Sequence, residues 1–322
     1  MPSQSPPDRS TVGVGTSRSQ AILLLVVGNS LWAGSYVAGK EALRCLSFIE
    51  LNALRFSIST ILLAPVLWSG RRILAGELRN RASLNALARL VLLGFVLNKA
   101  FEYAGLSLST AVDVALLIAT EGIFTAILSW TLLGEPVTGG GVAALIAGAA
   151  GTWLVIARGL VPDFGGPGGA GRIIGDLMVV LSLLFEAGYT VTGKASLKRI
   201  PPLLIIAISV AGCLLVWLPA AAIALARDGM PHMTNAAWAS VGYMAAFGTV
   251  AAYWMWFRGL SVVHASVAAP FLFIQPLLGA ALGVAMLGET ISWATMAGAV
   301  LIVASLAMVT AESRRTLIEP PA

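Results

Sequence analysis

Charge is what this chain has least of. Asp, Glu, Lys and Arg make up 11% of its 322 residues, against 58% hydrophobic residues and a mean hydropathy of +0.88. An ordinary soluble domain carries roughly 25% charged residues. The charge here cannot cover a water-facing surface, so lipid must be much of the solvent. Cysteine and histidine are scarcer still. Cys45 and Cys213 are the two cysteines, and Cys213 lies inside an apolar run, so no disulfide framework follows. His232 and His264 are too few and too scattered to build a zinc site, and no metal or other cofactor is expected. The net charge of +5 does not point to nucleic acid, because no Lys/Arg cluster is interleaved with aromatics. Excess Lys and Arg on cytoplasmic loops accounts for it. Enzyme signatures are missing too. The chain has no HExxH helix, no GxxxxGK[ST] loop and no GxSxG elbow.

Long apolar runs are what it does have. A helix crossing a ~30 Å hydrocarbon core needs about 20 mostly apolar residues. Such runs fall at roughly 21–39, 47–68, 87–107, 111–133, 139–157, 173–194, 203–225, 236–257, 265–287 and 291–310. They predict ten transmembrane helices and exclude a barrel, whose strands alternate in polarity over about ten residues. Residues 1–20 read as a disordered cytoplasmic tail, 158–174 as a linker and 312–322 as a second cytoplasmic tail. With the N-terminus in the cytoplasm, thirteen Lys and Arg flank the spans on that side. Five lie on the other: Lys40, Arg44, Arg158, Arg172 and Arg227. The bias places both termini in the cytoplasm of a multi-pass plasma-membrane protein.

The chain also repeats itself. AGSYVAGK (33–40) returns as AGYTVTGK (187–194), which pairs Lys40 with Lys194 at a shift of 154. AGLSLSTA (104–111) returns as RGLSVVHA (258–265), pairing Gly105 with Gly259 at the same shift. LLGEPVT (132–138) returns as MLGETIS (286–292), pairing Glu135 with Glu289. Three matches at one ungapped shift predict two copies of a five-span unit, 21–157 and 175–311. Because five is odd, the second copy enters the membrane from the opposite side. The expected architecture is therefore all-α, ten helices in two inverted repeats, a hallmark of secondary transporters.

With its GLS turns, its LLGE-type ends of spans four and nine, and this duplication, the chain resembles the EamA-type drug/metabolite transporter superfamily over residues 21–311. The resemblance implies a central cavity lined by spans one, three, four, six, eight and nine, and export of metabolites, amino acids or drugs. The sequence departs from the commonest pattern of that superfamily at Glu121-Gly122, where many members place a proline; the second copy keeps Gln275-Pro276.

Ionisable residues inside apolar runs are costly in lipid and mark candidate sites. Arg55, Lys99, Glu102, Glu121 and Glu186 qualify, with Asp113 nearer a span end. Lys99 and Glu102 are three apart on one helix face and can neutralise each other; a structural ion pair is the alternative to a transport role. Arg55 is read as structural, anchored to carbonyls or a neighbouring carboxylate. Glu121 lies near the middle of its run, and its repeat mate is Gln275. A carboxyl in a dry pocket suits proton exchange or a cationic group. Glu186 is similarly central, and its mate is Trp32. Asn29, Trp32 and Tyr189 add polar and aromatic surface of the kind ligand pockets use. The stripe Tyr253, Trp254, Trp256 and Phe257 reads as packing or an interfacial belt. Gly279 and Gly283 form a GxxxG step for close helix packing, with Thr125 and Ser129 as mates. Pro276 is expected to free a carbonyl within span nine. The expected partners are a small-molecule substrate, with protons as candidate coupling ions, and the lipid bilayer. A membrane-embedded sensor, a lipid scramblase and an intramembrane enzyme remain the alternative classes; the sequence specifies no oligomeric state.

Overall fold

The computed structural model describes residues 17–121, 139–161, 169–196, 200–260, 271–272 and 274–316, with 124, 127, 128 and 131. The expectations placed on Gly122, Thr125, Ser129, Glu135 and His264, and on the side chains of Lys194 and Phe257, lie outside the described residues. The regular structure among the described residues is helical throughout.

Helix α1 (Arg18–Ala42) begins inside the expected tail because Ser17 and Gln20 cap it reciprocally: the Ser17 hydroxyl accepts from the Gln20 N–H, and the Gln20 side chain accepts from the Ser17 N–H. Helix α2 (Phe48–Ser69) opens the same way on Ser47 and Glu50. A short surface helix α3 (Arg71–Arg79) precedes a long rod, α4 (Arg81–Leu90) and α5 (Asn98–Leu108) joined by a π-helical stretch, Val91–Leu97. Then come α6 (Ala111–Ile118), α7 (Gly139–Ala157), α8 (Gly169–Ser196) and α9 (Pro202–Asp228). A second rod joins α10 (Asn235–Tyr243) to α11 (Ala252–Leu260) through another π-helical stretch, Met244–Ala251. Helices α12 (Ile274–Leu287) and α13 (Trp293–Thr316) follow.

Several bounds differ from the sequence reading. Helix α8 starts within the expected linker because Arg172 pairs with Asp176 one turn on and also donates to the Ile156 carbonyl, which fastens its first turns to the end of α7. Helix α13 continues past 311 through Ala311, Glu312, Arg314 and Arg315, all good helix formers. The run 111–133 is not one uninterrupted helix: α6 ends at Ile118 and a turn follows at Ala119–Thr120, where the Thr120 N–H reaches the Leu117 carbonyl three residues back. Among the described residues, four helices are long and apolar enough to cross a membrane: Ser19–Ala42, Phe48–Ser69, Arg81–Leu108 and Pro202–Asp228. Shorter apolar helices cover Val142–Ala157, Ile274–Leu287 and Trp293–Ser305.

Helices of the first copy pack on helices of the second: α1 on α11, α2 on α9, α5 on α8, α6 on α12 and α7 on α13. The contacts repeat at the 154-residue shift with the copies exchanged. Gly105 sits against Gly175 and Val179, while its mate Gly259 sits against their mates Ala21 and Leu25. Gly94 faces Tyr189, and Gly248 faces Ser35. Gly151 meets Gly298, and the mate pair joins through the Ser305 hydroxyl donating to the Ala144 carbonyl. The two π-helical stretches also occupy mate positions. At Gly105, Gly259 and Gly151 a missing side chain lets two backbones approach, while Gly94 and Gly248 make room for the side chains of Tyr189 and Ser35; dispersion contacts there replace the hydrophobic drive that lipid cannot supply.

Candidate functional site

Polar side chains gather at two levels of this bundle. The first is a charged cluster in the interior. Lys99 and Glu102, on one face of α5, form an ion pair at 2.5 Å with side chains 13% and 5% exposed. Glu121 follows the turn that ends α6. It lies within electrostatic reach of Glu186 on α8, of Lys99 and of Glu102. One carboxylate oxygen of Glu186 is buried with no hydrogen-bond partner among the described residues. Tyr36 is buried in the same field and donates to the Gln275 side-chain oxygen at 3.2 Å. The Gln275 amide in turn donates to Asn29 at 2.9 Å, and Asn29 donates to the Leu25 carbonyl at 2.7 Å. A continuous polar chain thus links α1 to α12 beside the carboxyls. This satisfies the amides and holds Gln275 in one orientation.

Aromatic rings border the cluster. Trp32 donates from its indole to the Gly248 carbonyl at 3.0 Å and meets the rings of Tyr253 and Trp256 at centroid distances of 5.1 and 5.9 Å. Tyr189 stands edge-on to Phe95 at 5.8 Å, and Phe95 packs on Phe56 and Tyr253. Two members of the aromatic stripe, Tyr253 and Trp256, therefore turn inward, whereas Trp254 is 45% exposed.

Arg55 corrects the sequence reading. No carbonyl or carboxylate anchors it among the described residues. Its Nε donates to the Thr249 hydroxyl at 2.9 Å and its Nη1 to the Tyr103 hydroxyl at 2.5 Å. The rings of Phe56 and Tyr103 flank its guanidinium. Thr249 can be placed there because the π-helical stretch lets its own hydroxyl reach back to the Met244 carbonyl five residues earlier. Pro276 is the third residue of the described helix Ile274–Leu287, and the residue before that stretch lies outside the described residues. Gly279 and Gly283 do pack closely: a methyl on either would lie 2.7 Å from Ala115 Cβ or 2.8 Å from a Val112 methyl.

The second level is a buried network at one end of the bundle. Asp113 accepts from Arg158 at 2.7 Å and lies 3.6 Å from Arg172, which holds Asp176 at 2.7 Å. The Ser109 hydroxyl also donates to Asp176. Lys40 caps the end of α5 by donating to the carbonyls of Leu106, Ser107 and Ser109. This is the favourable pole of a helix for a cation. Glu289 does the converse at the start of α6, accepting from the N–H groups of Ala111 and Val112 at 2.8 and 2.7 Å. Sequence reasoning missed Asp113, Arg158, Arg172 and Asp176 as a unit, because Asp113 on α6, Arg158 after α7, and Arg172 with Asp176 on α8 come from three separate segments. The caps had a signal in the repeated GK and LGE motifs.

Ionisable groups buried among helices long and apolar enough to cross a membrane fit a multi-pass membrane protein. Comparison with known proteins makes the class specific. The chain matches the EamA-like transporter family twice, over residues 19–157 and 173–311, and it belongs to that family. It is 26% identical over 298 residues to an "uncharacterized transporter" of Archaeoglobus fulgidus, covering 92% of this chain and 99% of that one. It is 22% identical to the "uncharacterized transporter YetK" of Bacillus subtilis, covering 91% and 86%. A solved crystal structure superposes with a TM-score of 0.61 at 22% identity, over 93% of this chain and 99% of that one, and shares its fold.

Proposed function

We propose that this transporter exports a small organic solute across the cytoplasmic membrane by alternating access between two inverted five-span halves, with protons exchanged at Glu121. The observation that carries the reading is a helix break inside the bundle: Glu121 follows the turn that ends α6, and its repeat mate Gln275 is held by Tyr36 and Asn29. Helices interrupted at membrane depth are tolerated where they line protein or a water-filled site, and transporters bind substrates and ions there. The exchanged glycine contacts support a two-fold relation between the halves, since such an axis requires each contact and its mate to swap copies; an odd five spans per copy is what turns that axis into the membrane plane. The Lys/Arg bias supports the orientation of the chain, and export is what the resemblance to the drug/metabolite transporters implies. The test is solute flux in everted vesicles from cells making the protein, screened over amino acids, nucleobases, cationic drugs and sugar phosphates, with and without an imposed pH gradient. Gradient-dependent accumulation of one class is the expected result. Flux that ignores the gradient refutes proton exchange, and no protein-dependent flux of any class refutes the transport reading.

A further inference from the structure

We infer that Arg55 is an anion-recognition point, and that the solute this transporter takes carries a carboxylate on an apolar, partly aromatic body. The inference rests on the transport reading and adds the substrate's chemistry. Arg55 is 4% exposed, yet its neighbours orient the guanidinium without neutralising it. Thr249 spends its own proton on the Met244 carbonyl, so toward Arg55 it can only accept. Tyr103 accepts from Nη1, which leaves the tyrosine proton for another acceptor. No carboxylate lies within 4.0 Å of Arg55 among the described residues, whereas Lys99, Arg158 and Arg172 each hold one.

Two of the five guanidinium N–H groups are used. Nη2 has no hydrogen bond among the described residues. A positive fork held in one plane, with donors to spare and no acid, is complementary to a planar oxyanion, which it binds through two parallel hydrogen bonds. The proton left on Tyr103 is a further donor beside Nη1. Phe56 and Tyr103 flank the fork, and Phe95 packs on Phe56 at a centroid distance of 5.7 Å. The surroundings of the anion point are therefore apolar and aromatic, with all three rings buried in the bundle.

The test uses the purified full-length protein in detergent and matched solute pairs that differ only in charge: acetate with acetamide, 3-phenylpropanoate with 3-phenylpropanamide, and indole-3-acetate with indole-3-acetamide. 3-Phenylpropylamine serves as the cationic control. We expect a saturable rise in unfolding temperature with the aromatic carboxylates and none with their amides. Arg55→Gln should raise the half-saturating concentration by roughly thirtyfold or more, the scale of removing one partner of a buried charged pair. Should that variant fail to fold, Arg55→Lys and Tyr103→Phe keep the question open to measurement. The first retains the charge but loses the fork, the second loses only a hydroxyl, and both should weaken the carboxylate response. Equal shifts from acid and amide, a shift from the amine alone, or an unchanged carboxylate response in both conservative variants overturns the assignment. None of these touches the transport reading, which stands or falls on vesicle flux.

Discussion

At the scale of single residues, the interior separates charges that neutralise each other from charges that do not. Lys99 and Glu102 satisfy one another at 2.5 Å, whereas Glu121 and Glu186 lie within reach of each other's negative charge. Like charges brought this close in the interior of the bundle repel each other. Glu121→Gln keeps the shape and removes the titratable group. We expect it to fold with an unfolding temperature close to wild type and to lose gradient-driven flux. Lys99→Met should have the smaller effect on flux, because what it removes is a neutralising partner. Flux per inserted protein in vesicles decides the matter: wild-type flux and an unchanged pH profile in Glu121→Gln would clear Glu121 and move attention to Glu186. Of these residues, only the Lys99–Glu102 pair was legible as a contact in the sequence, because both lie on one turn of helix. Arg55, Tyr103 and Thr249 are far apart along the chain, and nothing local foretold that they meet.

At the scale of elements, glycines decide how closely helices approach. A Cβ on Gly105 would stand 2.5 Å from the Gly175 carbonyl oxygen and 3.1 Å from the Val179 nitrogen, both backbone atoms that cannot turn aside. Gly105→Ala should force α5 away from α8 and cost about 1–3 kcal/mol, the usual range for overpacking. Gly76, on the exposed α3, has nothing within 4 Å of such a Cβ. Gly76→Ala should instead be neutral or stabilising by up to about 1 kcal/mol, since alanine favours the helix. Thermal unfolding in detergent compares the two; equal shifts would mean that the α5–α8 contact does not govern stability. The repeat placed Gly105 and Gly259 in register from the sequence alone. That each packs on the first helix of the other copy was not written there, because a repeat says which positions are equivalent and not which surfaces touch.

At the scale of the molecule, the buried network ties one end of the bundle together and has no equal at its mate positions. Shifted by 154, Asp113, Arg158, Arg172 and Asp176 become Val267, Glu312, Arg18 and Ile22. Both carboxylates that bind the arginines are replaced by apolar residues, so the four-charge arrangement cannot form twice. In the proposed topology this network lies on the external side. Reporter fusions after Arg71 and after Ser313 should both report the cytoplasm, and an external signal from either would break that scheme. Composition alone determined that the chain lives in lipid, because too little charge remains to cover a soluble surface. Sequence spacing alone determined the duplication, because one unbroken shift aligns three motifs. The break before Glu121 and the company Arg55 keeps were decided only by the tertiary structure. Apolar runs carry no mark of where a helix stops when packing against other helices, rather than the chain's own propensity, satisfies its ends. A buried charge likewise takes its partners from whichever segments the fold brings within 3 Å of it.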